Sequence, residues 1–117
     1  MLARVPFDEG GLTGTITAET TFPKGDWRNL YFKGDRKRQV EARAEALKKL
    51  LNGQARTLPE LALRFCLANE AVSTVIPGMR RTTHVEANLA VSGRAVLDAA
   101  ALARLRGHRW TRTYVVV

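Results

Sequence analysis

The residues from Val72 to Asn88 are the ones whose types and order could do chemistry. Val72-Ser73-Thr74-Val75-Ile76 is a β-branched run of the kind found in buried strands, and Pro77-Gly78 stops it sharply. Met79-Arg80-Arg81 follows. Thr82 or Thr83 then stands ready to cap a helix, with Glu86 at capping-box spacing from Thr83. In parallel α/β folds, ligands bind beyond the carboxyl ends of strands. A helix N-terminus there offers free N–H groups and a partial positive charge, which suit phosphate. Arg80 and Arg81 would add charge-assisted hydrogen bonds. The same residues also fit an ordinary strand–turn–helix connection with two solvated arginines, and spacing alone leaves both readings open.

Elsewhere the catalytic inventory is thin. His84 and His108 are isolated, with no cysteine or carboxylate at ligand spacing, so no metal site is expected. Cys66 lies in the most apolar stretch and reads as a buried structural thiol rather than a nucleophile. Tyr31 and Tyr114 fall in a loop and in the tail, with no base placed beside them, and no serine-nucleophile motif occurs.

Composition narrows the classes further. The chain has 117 residues and a formal net charge of +8. One cysteine cannot form an internal disulfide. The longest apolar runs fall far below the about 18 residues of a membrane span. With 45% apolar and 26% charged residues the chain is not compositionally disordered, though its core must be modest. The opening Met-Leu-Ala-Arg shows no secretory pattern, so a reducing cytoplasmic setting is expected. Basic charge gathers in the last third, where Arg80, Arg81, Arg94, Arg104, Arg106, Arg109 and Arg112 face only Glu86 and Asp98. Such an excess attracts polyanions, or simply forms a solvated surface. Aromatic-interleaved basic stripes and a helix-turn-helix pattern are absent, which argues against nucleic acid as the partner.

The surrounding elements must position these groups. Leu2 to Pro6 reads as a short strand that Pro6 should end. Residues 8–35 hold Gly10, Gly11, Gly14, Gly25 and Gly34 with no sustained period, which predicts a long loop. Asp35 can cap a helix running to about Leu51, with Val40, Ala44, Leu47 and Leu51 on one face and Asn52-Gly53 as the stop. Thr57-Leu58-Pro59-Glu60 is a capping box with proline in the first turn. The helix it starts, Leu58 to Ala68, is apolar nearly all round and needs cover on more than one side. A short helix from Thr83 would turn Val85 and Leu89 inward and end at Ser92-Gly93. Asp98 caps a last helix bearing Leu102 and Leu105, which Gly107 closes. The tail Tyr114 to Val117 is unassigned. Strands alternating with helices predict a parallel α/β sheet in one domain. Two parallel strands cannot stand alone, so the long loop and the apolar helix imply partners outside the chain.

Taken together, several stretches resemble the C-terminal part of the aldo-keto reductase family. They are Leu61-Ala62-Leu63-Arg64-Phe65, Val72 through Arg80, and Val85-Glu86-Ala87-Asn88-Leu89. Arg4-Val5-Pro6-Phe7-Asp8-Glu9-Gly10-Gly11-Leu12-Thr13-Gly14 is similar to that family's seventh barrel strand and following loop, and His108-Arg109-Trp110 also fits. The resemblance spans roughly residues 2 to 114 and implies a partial (β/α)8 TIM barrel, its last two strands with about four helices. A complete barrel needs about 250 residues.

The resemblance also implies hydride transfer between a nicotinamide cofactor, NADP or else NAD, and an aldehyde or ketone. By position, Arg4 would lie beneath the nicotinamide, where many members carry an aromatic ring. Phe7, Asp8 and Glu9 would begin the loop that passes the pyrophosphate. Gly78, Met79, Arg80 and Arg81 would meet the 2′-phosphate and ribose. His84 falls where many members place an arginine, and Asn88 matches an adenine-contacting asparagine, while Ala87 replaces a carboxylate common there. No residue matches the catalytic aspartate, tyrosine, lysine and histidine of the family, so the chain alone is expected to be inactive. Its partners would be the nicotinamide dinucleotide and either the missing N-terminal barrel portion or a second copy. A basic anion- or nucleic-acid-binding module and an inactive remnant are the alternative readings.

Overall fold

A computed structural model describes residues 1–111. Strand β1 (Leu2–Arg4) and strand β2 (Thr74–Ile76) pair in parallel, with Leu2 opposite Thr74, Ala3 opposite Val75 and Arg4 opposite Ile76. The Met1 amino group donates to the Ala71 carbonyl at 2.8 Å, and the Ser73 N–H donates to the Met1 carbonyl at the same distance. Both strands are shorter than their sequence patterns. β1 ends before Pro6 because Val5 already takes a left-handed φ of 54°. β2 begins at Thr74 because the Val72 N–H is held in a turn by the Asn69 carbonyl.

Residues 8–35 are not the continuous loop that their lack of period predicts. A 3-10 segment runs over Asp8–Thr13, and a short helix α1 covers Arg28–Tyr31. Asp26 starts α1 by accepting from the Arg28 N–H at 2.9 Å and pairing with its guanidinium at 2.7 Å. Side-chain packing rather than periodicity organises this region. Ile16, Phe32 and Val40 form a buried cluster, with Phe22, Tyr31 and Trp110 against it. The Phe22 and Phe32 rings stack at 5.7 Å, and Tyr31 meets Phe32 edge-on at 4.9 Å.

Helix α2 (Arg36–Lys48) buries Val40 and Ala44, as the apolar stripe requires. Asp35 is its N-cap residue, but the carboxylate makes no capping bond and faces Arg38 at 3.7 Å instead. Val40 belongs to the aromatic cluster and Ala44 to a second one, so α2 spans both. The second cluster joins Ala44, Ala55, Leu58, Leu61, Leu97 and Ala101, with Leu47, Leu51, Leu102 and Leu105 packed on it.

Helix α3 (Leu58–Leu67) starts as the sequence indicates, with the Thr57 hydroxyl accepting from the Glu60 N–H at 3.2 Å. The Glu60 carboxylate accepts from the Arg56 N–H, one residue earlier than the reciprocal capping box would have it. Removing this cap by Thr57→Ala should cost about 1 kcal/mol of stability, read as a lower urea midpoint with an unchanged slope. α3 buries Leu58, Leu61 and Leu63, while Phe65 stays 41% and Leu67 39% exposed. Its all-round apolar character is therefore only half used among the described residues.

Helix α4 (Thr82–Leu89) follows β2, and helix α5 (Ala99–Arg106) comes last. The Asp98 carboxylate caps α5, accepting from the Ala101 N–H at 2.6 Å. The inward placement of Leu89 is overturned: it is 63% exposed, because nothing among the described residues covers that side of α4. Arg64 ties α3 to the connection before α5, donating to the carbonyls of Gln54 and Ala95. The tail, Tyr114 included, lies outside the described residues. No helix of those described is long and apolar enough to cross a membrane.

Candidate functional site

Parallel pairing sets the carboxyl ends of β1 and β2 side by side, with Arg4 next to Ile76. Two short segments leave from there. Beyond β1 the backbone is strained, since Val5, Asp8 and Glu9 all hold left-handed φ values of 54–56° without being glycine. The turn is closed by hydrogen bonds from the Gly10 and Leu12 N–H groups to the Phe7 carbonyl, at 3.0 and 2.9 Å. Phe7 and Glu9 are half-buried in it.

Beyond β2 the chain runs through Pro77, Gly78, Met79 and Arg80 to Arg81, which is the N-cap residue of α4. The capping by Thr82 or Thr83 that the sequence predicts does not form. Helix α4 begins two residues earlier than a Thr83 cap requires and one earlier than a Thr82 cap, and no side chain caps it. Its N-terminal N–H groups therefore stay available to an anion. Arg80 and Arg81 are exposed and have no ion-pair partner among the described residues. The Asn88 amide reaches back from the last turn of α4 and donates to the Gly78 carbonyl at 3.2 Å. Gly78, Met79, Arg80, Arg81, His84 and Asn88 thus belong to one turn–helix unit. Arg4, Phe7 and Glu9 stand on the neighbouring strand end, and the strand pairing is what brings the two groups together.

A cavity of about 680 Å³ opens beside β1. Arg4, Pro6 and Asp8 line it on the strand side, and Val40, Leu61 and Phe65 on the helix side. Trp110 closes part of it, with the Arg43 guanidinium 4.3 Å above the indole. Cys66 lines the cavity and is half-buried rather than fully so, and burial pushes its thiol up from its ordinary value. Among the described residues, no group of three or more His, Cys, Asp and Glu could hold a metal ion.

One cluster has no signal in the sequence. The Tyr31 hydroxyl donates to Asp8 Oδ1 at 2.6 Å, across 23 residues of chain. Tyr31 thus has a carboxyl group beside it, where the sequence placed no base. Asp8 is raised to about 7, chiefly by burial. Arg36 pulls it down and Glu9 adds to the rise. Gly11 makes room for the carboxyl, since a Cβ there would lie 2.7 Å from Asp8 Oδ2. Only the density of aromatic residues from Trp27 to Phe32 could have marked this segment as packed.

The architecture is that of paired parallel strands with helices between and after them, and with the exposed Arg80 and Arg81 at the start of α4 beyond the strand ends. Among solved structures, the glycerol dehydrogenase of Gluconobacter oxydans is similar, with a TM-score of 0.77 at 21% identity. That match covers 98% of this chain and 37% of the dehydrogenase, so the fold is part of a (β/α)8 barrel. A model of the aldo/keto reductase family matches residues 1–109, and the chain belongs to that family. No curated protein matches the sequence.

Proposed function

We propose that this chain, a single domain over residues 1–117, is the C-terminal portion of a nicotinamide-dependent aldo/keto reductase. It grips the adenosine 2′-phosphate end of NADP. The observation that carries this reading is the uncapped α4 N-terminus with Arg80 and Arg81 beside it, directly beyond a strand that pairs in parallel with β1. The residues present fit the group. Two exposed guanidiniums and free helix N–H groups suit a dianionic phosphate and would be superfluous for plain NAD.

The bound dinucleotide supplies or takes up the hydride exchanged with an aldehyde or ketone. Arg4 supports the nicotinamide from the end of β1, and the turn bearing Phe7 and Glu9 passes the pyrophosphate. Gly78 and Met79 offer backbone to the ribose phosphate. Asn88 holds that turn through Gly78, and His84 flanks the adenine side.

The chain alone reduces no carbonyl, because none of its residues matches the family's proton-donating tetrad. Those groups come from the preceding portion of the barrel, which seats on the open edge of β1 and the bare face of α3 at Phe65 and Leu67. Without it, the same apolar face drives self-association. The site of action is the cytoplasm, in keeping with a single unpaired cysteine.

Calorimetric titration with NADP tests the reading, on the chain alone and mixed with the preceding portion of the barrel as a separate polypeptide. Binding is expected in the mixture and weaker for NAD. No heat of binding in either sample would overturn it.

A further inference from the structure

The cavity beside β1 is walled by segments far apart in the chain. Helix α2 contributes Val40, Ala44 and Leu47, and helix α3 contributes Leu58, Leu61 and Phe65. Its volume of about 680 Å³ falls within the about 300–1,000 Å³ of small-molecule sites. No residue from Gly78 to Asn88 lines it, so it is a different place from the turn between β2 and α4. Arg4 stands at the boundary of the two.

Charge around this cavity is one-sided. Arg4 comes from β1, Arg43 from α2, Arg106 from the last turn of α5, and His108 and Arg109 from the segment after it. Asp8 is the one acid among the described lining residues, and its carboxyl accepts from the Tyr31 hydroxyl at 2.6 Å. Arg4, Arg43, Arg106 and Arg109 are exposed, and none has an ion-pair partner among the described residues. Arg43 rests on the Trp110 ring instead, 4.3 Å from its centroid. Side chains of this length lay their stems along apolar surface and keep their heads in water. Guanidiniums gathered at one mouth repel one another, and an anion among them replaces that repulsion with attraction. An apolar interior under a cationic rim is complementary to a molecule with an apolar body and an anionic head. The guanidinium fork matches a carboxylate with two parallel hydrogen bonds. A monoanion also sheds water beside apolar walls at lower cost than a dianionic phosphate.

We propose that this cavity binds a free amphiphilic carboxylate, its apolar chain between α2 and α3 and its head among Arg43, Arg106 and Arg109. The bound chain covers Cys66, which lines the same cavity from α3.

Cys66 is the single cysteine of the chain, so its alkylation reads the cavity directly. The probe is decanoate below its micelle-forming concentration, and the reagent is the neutral N-ethylmaleimide, followed by mass spectrometry. With decanoate at about ten times its Kd, alkylation should slow about tenfold, because only the unliganded fraction reacts. Calorimetry supplies the Kd, and each methylene removed from the acid should weaken binding about fourfold. The decyltrimethylammonium cation carries the same chain and should leave the rate unchanged. The Arg106→Gln, Arg109→Gln protein loses two unpaired guanidiniums and should bind decanoate about tenfold more weakly, with its far-UV circular dichroism unaltered. Protection by decanoate should persist when the preceding barrel portion is added.

Alkylation that ignores decanoate, equal protection by the cation, or undiminished binding in the double variant would overturn the proposal. Displacement of decanoate by the preceding barrel portion would overturn it too, and would assign the cavity to that interface. The assay contains no NADP, so it reads this site independently of the dinucleotide reading.

Discussion

Replacing Arg80 and Arg81 together with alanine should weaken NADP binding about 100-fold and leave NAD binding within about threefold. Two charge-assisted contacts to one phosphate are each worth about 1.5 kcal/mol or more, and the pair therefore accounts for two powers of ten. Neither arginine is engaged elsewhere among the described residues, so removing them unfastens nothing in the fold. Raising the salt concentration should weaken NADP binding to the unsubstituted chain and affect the double variant less, because exposed charges are screened. Calorimetry on both proteins with both dinucleotides checks this. Equal losses for NADP and NAD would show that the arginines act on the pyrophosphate or on nothing specific.

The largest effect on stability is expected at Phe32. It is 2% exposed and lies between Phe22, Tyr31 and the buried Ile16 and Val40. Phe32→Ala should cost about 3–5 kcal/mol, the transfer of an aromatic ring plus the cavity left behind. A small domain holds about 5–15 kcal/mol in all, so the variant should be largely unfolded at modest urea. The loss should also free Tyr31 and with it the turn that carries Phe7 and Glu9. Far-UV circular dichroism against urea measures it. A loss under about 1 kcal/mol would show that the aromatic cluster is not a true core.

Much of this molecule follows from local chemistry. Thr57, Pro59 and Glu60 mark the start of α3 because capping needs only neighbours within one turn. Asp98 marks α5 for the same reason. The β-branched run before Pro77 is a strand, and it pairs in parallel with β1, Ala3 beside Val75.

The exceptions share a physical origin in contacts that span the chain or leave it. Leu89 sits at an inward helical position, but its cover is not among the described residues, so it faces solvent. Residues 8–35 have no period because aromatic packing and side-chain hydrogen bonds, not a repeating face, hold them. The left-handed φ values at Val5 and Glu9 contradict the preference of those residue types, and no sequence rule would place them there. On the candidate site, the turn–helix unit from Gly78 to Asn88 was legible because it is contiguous. The Asp8–Tyr31 contact was not, since nothing in spacing couples residues 23 apart.

The central claim is that the end of β2 and the start of α4 take the phosphate on the adenosine ribose. Phosphorus NMR of NADP observes that group directly, because the 2′-phosphate gives a resonance separate from the pyrophosphate. Adding the chain, with the preceding barrel portion if needed, should shift or broaden the 2′-phosphate signal, and the Arg80→Ala, Arg81→Ala protein should leave it where it is in free NADP. A 2′-phosphate signal that stays unmoved while the pyrophosphate responds, or that moves equally with the double variant, would contradict the account.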